Sequence, residues 1–358
     1  MLKKAAALFL VCASMALWMS CGTTSSRYLY AAIPGSNQIA IYREDPNSGI
    51  LTQLAGSPIT AGSAIQTIVI HPSNKFLFTA NAGEGDVSLY TIASTGALTE
   101  VTPRTVVGTS PTVLAMDSAG SFLYVGNSGS LNISVFSINA KSSPPTLSPV
   151  AGSPFSIGMS PINLKVSPSG SVLYVTGTGS PGFIEAFSVT QGVLSVVSGT
   201  PFITGTGPYG LAISSSGGFL YTGNKLDNSI SEFTVNSDGS LTQFSNSPIG
   251  FGTQSTGPIA LVIDKSGKYM YVADQGSSNV GGFSVGSDGA LTLLTSSPFA
   301  TRAQPSVLAI DSGGKYLFVG NQTTPAVQSF SLDTGSGTLT SVATYSLPGS
   351  PTSIALTH

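Results

Sequence analysis

Six ionisable residues in this chain have the types that hydrolytic or anion-binding chemistry requires: Glu84, Asp86, Lys225, Asp227, Asp274 and Arg302. A carboxylate can take a proton from water, and a guanidinium or ammonium can hold the oxyanion formed when water adds to a carbonyl. Arg302, Asp274 and Glu84 are the candidates for direct chemistry. Lys225, Asp227, Asp86 and Arg302 are the candidates for holding a ligand. The two histidines stand apart from this group: His71 occupies a turn position filled elsewhere by Asp or Ser, and His358 lies at the final position. There is no phosphate loop, no His/Cys metal spacing and no run of Asp at calcium-loop spacing, so neither a metal nor a cofactor is expected.

The elements that must position these residues repeat. An aromatic residue or Val followed by Leu-Tyr-Val or a close variant occurs at Tyr28, Phe76, Phe122, Val172, Phe219, Tyr269 and Tyr316, with spacings of 46 to 50 residues. A second phrase, Gly-x-Leu-Thr or Gly-x-Leu-Ser, trails six of the seven, as in Gly96-Ala97-Leu98-Thr99 and Gly289-Ala290-Leu291-Thr292. Within one unit, Thr112 to Met116 is a short apolar strand, and Asp117-Ser118-Ala119-Gly120 suits a type I turn. Phe122 to Gly126 is a second strand, Ile133 to Ile138 alternates as a third, and Leu147 to Val150 forms a fourth before Gly152-Ser153-Pro154. Four-stranded units of this length, arranged radially, make an all-β, seven-bladed propeller with antiparallel blades. The first unit lacks its leading strand, and residues 350–358 supply one. Their pairing beside residues 28–33 is expected to close the ring and cover both sheet edges.

In this frame the six charged candidates share one face, formed by loops entering the innermost strands and loops leaving the second strands. Arg302 enters its strand where other units have Gly, Ser or Thr. Asp274 replaces the Asn of Asn81, Asn127, Asn224 and Asn321, all suited to capping a loop. Lys165 occupies an innermost-strand position that is Ala or Val elsewhere, and a buried Lys needs a partner. Glu185, two strands across, is expected to pair with it.

The phrases His71-Pro72-Ser73-Asn74-Lys75-Phe76-Leu77-Phe78-Thr79-Ala80-Asn81 and Tyr316-Leu317-Phe318-Val319-Gly320-Asn321, each followed by Gly-x-Leu-Thr, resemble the seven-bladed lactonase family. That is the 6-phosphogluconolactonase and cycloisomerase type, with related surface repeats named after Tyr-Val-Thr-Asn. The resemblance spans about residues 27 to 358. It implies His, Arg and Glu residues in the central funnel, and this chain departs from that in its histidines. It also implies a phosphosugar substrate, whose dianion needs several cations.

Lys3 and Lys4 precede an apolar run from Ala5 to Met19, then Ser20-Cys21-Gly22. This resembles a bacterial lipoprotein signal over residues 1–21, with Cys21 as the lipidated residue and 22–27 a short linker to a single propeller at 28–358. An ordinary secretory signal is the alternative. Either way the protein is expected outside the cytoplasm, anchored by lipid to the cell envelope (outer membrane, periplasm or surface) or secreted. Beyond residue 21 there is no cysteine, and 11 basic against 15 acidic residues give a net charge of −4. With no basic stripe, neither nucleic acid nor an anionic lipid surface is an expected partner. The expected partner is a small molecule, such as a sugar or lactone, or an envelope protein, with a monomeric chain. Charged residues make up 8% of the sequence, and no histidine enters the funnel. These features favour a binding or surface-scaffold protein. The alternative is a lactonase that uses funnel Arg, Asp and Glu residues.

Overall fold

The computed structural model describes residues 26–142, 144–177, 181–251 and 255–358. Their strands form seven antiparallel sheets, whose innermost strands contact one another in chain order around a lumen. In the third blade, Pro111–Met116 lies innermost, followed outward by Phe122–Asn127, Asn132–Asn139 and Thr146–Pro149. The proposed signal, the linker as far as residue 25, and Cys21 lie outside the described residues.

The ring closes as the repeat requires. Ser353–Leu356 pairs beside Arg27–Ile33, with Leu29 opposite Leu356 and Ala32 opposite Ser353. Thr357 continues the seam: the Tyr28 N–H donates to its Oγ1 at 2.9 Å, and its own N–H donates to the Tyr28 carbonyl at 3.0 Å.

The two repeated phrases are the two halves of one contact between blades. Gly96 has φ of +81°, and a Cβ there would lie 2.2 Å from Cδ1 of Tyr28 in the preceding blade. Glycine is therefore required both by conformation and by the ring pressed against it. Gly289 meets Phe219 and Gly337 meets Tyr269 in the same way. The tyrosine two residues further along the same strand completes the joint. The hydroxyls of Tyr30, Tyr221 and Tyr271 donate to the carbonyls of Gly96, Gly289 and Gly337 at 2.6 to 2.9 Å. These tyrosines are fully buried, so the bond satisfies a group that would otherwise be stranded.

The fourth strand is less regular than its sequence suggests. In five blades it divides into two short pieces flanking a Ser-Pro or Thr-Pro pair, such as Leu51–Gln53 and Ile59–Thr60 around Ser57-Pro58. Proline brings no N–H to the ladder, and the preceding hydroxyl takes over as acceptor. The Ile41 N–H donates to Ser57 Oγ at 2.8 Å and the Val135 N–H to Ser153 Oγ at 2.9 Å.

Candidate functional site

The innermost strands are regular except where each enters the lumen. In the second blade Ile65 and Thr67 face Asn81 and Ala80 in succession, which leaves Gln66 unpaired between them. Thr112, Ile162, Tyr209, Ile259 and Ser306 are passed over in the same way in the next five blades. A bulge of this kind re-aims the extra side chain. All six, with Thr352 of the first blade, line a cavity of about 650 Å³ at this mouth of the lumen.

The wall of this funnel has two characters. Ser306, Thr352, Gln66 and Thr112 come from four consecutive blades and form a polar arc. Ile162, Tyr209 and Ile259 form an apolar arc across from it. On the polar side, Thr352 Oγ1 donates to the Gln66 carbonyl at 2.7 Å, Thr67 Oγ1 to the Thr112 carbonyl at 2.7 Å, and Ser306 Oγ to the Pro351 carbonyl at 3.0 Å. With their protons committed, these oxygens offer lone pairs to the hydroxyl donors of a ligand.

Two lysines among the described residues reach the lumen. Lys165 lines both the funnel and a second cavity of about 440 Å³ toward the opposite face, so its side chain stands at their junction. Its side chain is exposed within the lumen, and the protein atoms crowded around that space push its pKa below the ordinary lysine value. The expected ion pair with Glu185 does not form, and the register gives the reason. Lys165 lies opposite Tyr174 and hence on the side of Ala186, whereas Glu185 lies opposite Val175 and shares the other face with Leu164. Asn163 precedes Lys165 by two residues on the same face, about 6.6 Å away along the strand. Its carboxamide lines the funnel and has no hydrogen-bond partner among the described residues. At the rim, Lys225 Nζ lies 5.1 Å from the centroid of the Tyr209 ring, and both residues line the cavity. No carboxylate and no histidine among the described residues lines it.

A bulged, seven-bladed funnel of this construction has relatives. The sequence profile described as "Lactonase, 7-bladed beta-propeller" matches residues 55–157 and 164–356. The chain belongs to the seven-bladed β-propeller lactonase family. A 6-phosphogluconolactonase of Cronobacter sakazakii is 35% identical over 112 residues, which is 31% of this chain and 32% of that protein. The match thus spans about a third of that relative's length. Among solved structures, the periplasmic gluconolactonase of Pseudomonas aeruginosa superposes with a TM-score of 0.80 at 20% identity, covering 93% of this chain and 99% of the other. A protein from Lactobacillus plantarum gives 0.78 at 19% identity, covering 92% and 99%. At such identities the structural likeness concerns the fold.

Within this lactonase-family propeller, of the six charged candidates only Lys225 lines the funnel. Glu84 and Asp86 are drawn together around Arg104, whose Nε donates to Glu100 at 2.7 Å and whose Nη1 contacts Glu84 and, at 3.9 Å, Asp86. The Glu84 carboxylate also accepts the Ser63 N–H at 3.0 Å. Asp227 accepts the Thr206 N–H and closes its loop. Arg302 is exposed, its N–H donating to Gln328 Oε1 at 3.1 Å. Asp274 is wholly buried with neither carboxylate oxygen hydrogen-bonded among the described residues, and that burial pushes its carboxyl up to about 7. At the position of Gly281, other blades carry Ser88, Ser134 and Ser231, each accepting from the Asn that Asp274 replaces. His71 packs in its turn, with Nδ1 2.8 Å from Ser73 Oγ and Nε2 3.1 Å from the Gly120 carbonyl. His358 borders the second cavity. No group of three or more His, Cys, Asp or Glu among the described residues could hold a metal ion. The residues the charge pattern missed are Asn163 and Tyr209. Each is the only residue of its type at its repeat position, a signal as readable as that of Lys165.

Proposed function

We propose that the chain hydrolyses the ester bond of a hydroxylated lactone within the funnel, with Lys165 as general base. One observation carries this reading: a solitary amine, unpaired by any described carboxylate, stands at the junction of the two cavities with its ammonium disfavoured by enclosure. An uncharged Lys165 Nζ accepts a proton from water as the water oxygen bonds to the lactone carbonyl carbon. The Asn163 carboxamide N–H donates to the oxyanion. Collapse breaks the ring C–O bond, and the Lys165 ammonium returns its proton to the departing alkoxide. The product is a hydroxy acid, whose carboxyl proton passes to solvent. The polar arc accepts from the substrate's hydroxyls, and Lys225 draws the product carboxylate to the rim.

Family membership supports this reading, as do the names of the Cronobacter and Pseudomonas relatives. The absence of a described carboxylate or histidine on the funnel wall favours a second reading, ligand binding without turnover. Initial rates on D-glucono-1,5-lactone, 6-phosphogluconolactone and δ-valerolactone, corrected for spontaneous opening, separate the two. A protein-dependent rate that Lys165→Met removes supports hydrolysis. Tight gluconate binding with no excess rate on any of the three supports the second reading.

The same proposal has the chain exported and held at the envelope through Cys21, in keeping with the periplasmic description of the Pseudomonas neighbour. Metabolic labelling with a palmitate analogue should mark the wild type and not Cys21→Ser. Equal labelling of both would remove the anchor.

A further inference from the structure

We propose that Tyr209 is a stacking platform that selects ring-shaped, hydroxylated substrates by packing its aromatic face against the C–H face of the lactone ring. This rests on the reading of the funnel as a lactone site, and deepens it by naming the residue that sets substrate shape.

Four observations point to this role. Tyr209 is the only aromatic residue on the described funnel wall. It is the bulged residue of its strand, skipped between Pro208 and Gly210 in the register, so the backbone turns it out of the sheet and into the cavity. It is 40% exposed, whereas the repeat tyrosines such as Tyr30, Tyr174 and Tyr271 are fully buried with their hydroxyls bonded to neighbouring blades. The Tyr209 hydroxyl has no hydrogen-bond partner among the described residues, and the Lys225 ammonium stands beside its ring.

The surroundings fit a saturated, hydroxylated ring. Ile162 and Ile259 occupy the bulge positions on either side of Tyr209 and give it apolar neighbours, on a side of the funnel that also carries Asn163, Lys165, Lys225 and Gln275, while the hydroxyl and amide arc faces it. A lactone ring of the sugar type has the same two characters, with axial C–H bonds on its faces and hydroxyls around its edge. Seated between the arcs, it would place a C–H face on Tyr209 and its hydroxyls toward Ser306, Thr352 and Thr112. A cation over an aromatic ring increases the ring's electrostatic engagement, and Lys225 is thereby kept at the rim beside the ligand. A single exposed aromatic residue is ordinary on a protein surface. One aimed into a cavity by a bulge, opposite a polar arc, is a different arrangement.

The test compares Tyr209→Ala and Tyr209→Phe with the wild type on D-glucono-1,5-lactone, and measures binding of the non-hydrolysable D-glucono-1,5-lactam by calorimetry. Tyr209→Ala should raise KM for the lactone by about tenfold, the change that ~1.4 kcal/mol represents, with kcat within about threefold. It should weaken lactam binding by a similar factor. Tyr209→Phe should remain within about twofold of the wild type on both measures, because the ring face and not the hydroxyl makes the contact. The platform is refuted if Tyr209→Ala leaves KM and lactam affinity unchanged, or if Tyr209→Phe loses as much as Tyr209→Ala. Lactam binding that depends on Tyr209 without any turnover would overturn hydrolysis and keep the platform. Turnover with a KM indifferent to Tyr209 would do the reverse. Absence of both binding and turnover would overturn both.

Discussion

Replacing Lys165 by Met isolates the amine from the shape of the lumen. Met is close to Lys in length, and the same register position elsewhere holds only Ala or Val, so no clash or new cavity should result. What disappears is the proton acceptor. A positioned general base contributes about 10²- to 10⁴-fold, so kcat should fall by about 10²- to 10³-fold, or ~3–4 kcal/mol of barrier. The pH profile gives a second measure. Nζ must be uncharged to accept a proton, so wild-type kcat/KM should climb with pH through a pKa below the ordinary lysine value of 10.5. That limb should vanish in Lys165→Met. Stability should move the other way. Between the lowered folded pKa and 10.5 the unfolded chain binds a proton that the fold does not, so wild-type stability rises with pH across that window. Met removes the penalty at its low end, giving a small gain at neutral pH because the ammonium still reaches the lumen. Initial rates by pH-stat, with spontaneous opening subtracted, provide the assay. Retention of a third of wild-type kcat, or an unaltered pH limb, refutes the base. Lys165→Arg sharpens the point, since guanidinium keeps the charge and cannot deprotonate. Activity rescued by Arg would show that Lys165 serves as a cation instead.

Lys225→Met should weaken gluconate binding severalfold at low salt and flatten its dependence on ionic strength, measured by calorimetry at two salt concentrations; unchanged affinity at low salt would remove Lys225 from the site. Glu44 is 2% exposed with neither oxygen hydrogen-bonded, and burial, then the Asp311 carboxylate, push its pKa up to about 7 against the pull of Arg27. Its folded pKa exceeds its unfolded one, so stability is full below about 4.5 and declines as pH rises toward 7. Glu44→Gln should recover about 1–3 kcal/mol at pH 8 and little at pH 4, and parallel denaturation curves for both proteins at the two pH values would contradict this. Gly96→Ala forces a Cβ against Tyr28 at φ +81° and should cost about 2–4 kcal/mol; chemical denaturation within 0.5 kcal/mol of wild type would show that the joint between blades is looser than described.

The ring and its seam were legible in the sequence because the physics that holds blades together acts on fixed residue types. Gly96 must be glycine because of the Tyr28 ring, and Tyr30 must reach the Gly96 carbonyl, so the same phrases recur wherever the joint recurs. The division of the fourth strand was partly legible: Ser57-Pro58 is visible, but that Ser57 Oγ substitutes for a ladder acceptor depends on the fold. The site was harder to read. Selecting by charge picked out Glu84, Asp86 and Asp227, whose carboxylates close loops and hold Arg104. The Lys165–Glu185 pairing looked reasonable by proximity along the unit and failed on the side of the sheet, which only the register decides. Tyr209 was invisible to a count of alternating residues, because a bulge sets its direction.

A sevenfold scaffold has no preferred side, so chemistry must come from the blades that differ. The charged and aromatic residues on the described funnel wall are not scattered. Ile162, Asn163 and Lys165 lie on the innermost strand of the fourth blade, and Tyr209 and Lys225 belong to the fifth, the next around the ring. Across the funnel, the seventh, first, second and third blades keep small hydroxyls that donate to neighbouring carbonyls, and the Gln66 amide, whose Nε2 donates one proton to the Ala64 carbonyl. The first group supplies an amine, an amide donor, a cation and an aromatic face, and the second supplies acceptors. Lys165 stands exposed in the lumen where the equivalent positions hold Ala or Val, and no described ion pair engages it. An amine that six equivalent positions do without, and that no described carboxylate holds, is best explained by what it does in the lumen. The fourth and fifth blades are therefore where substitutions should alter function while leaving the ring intact.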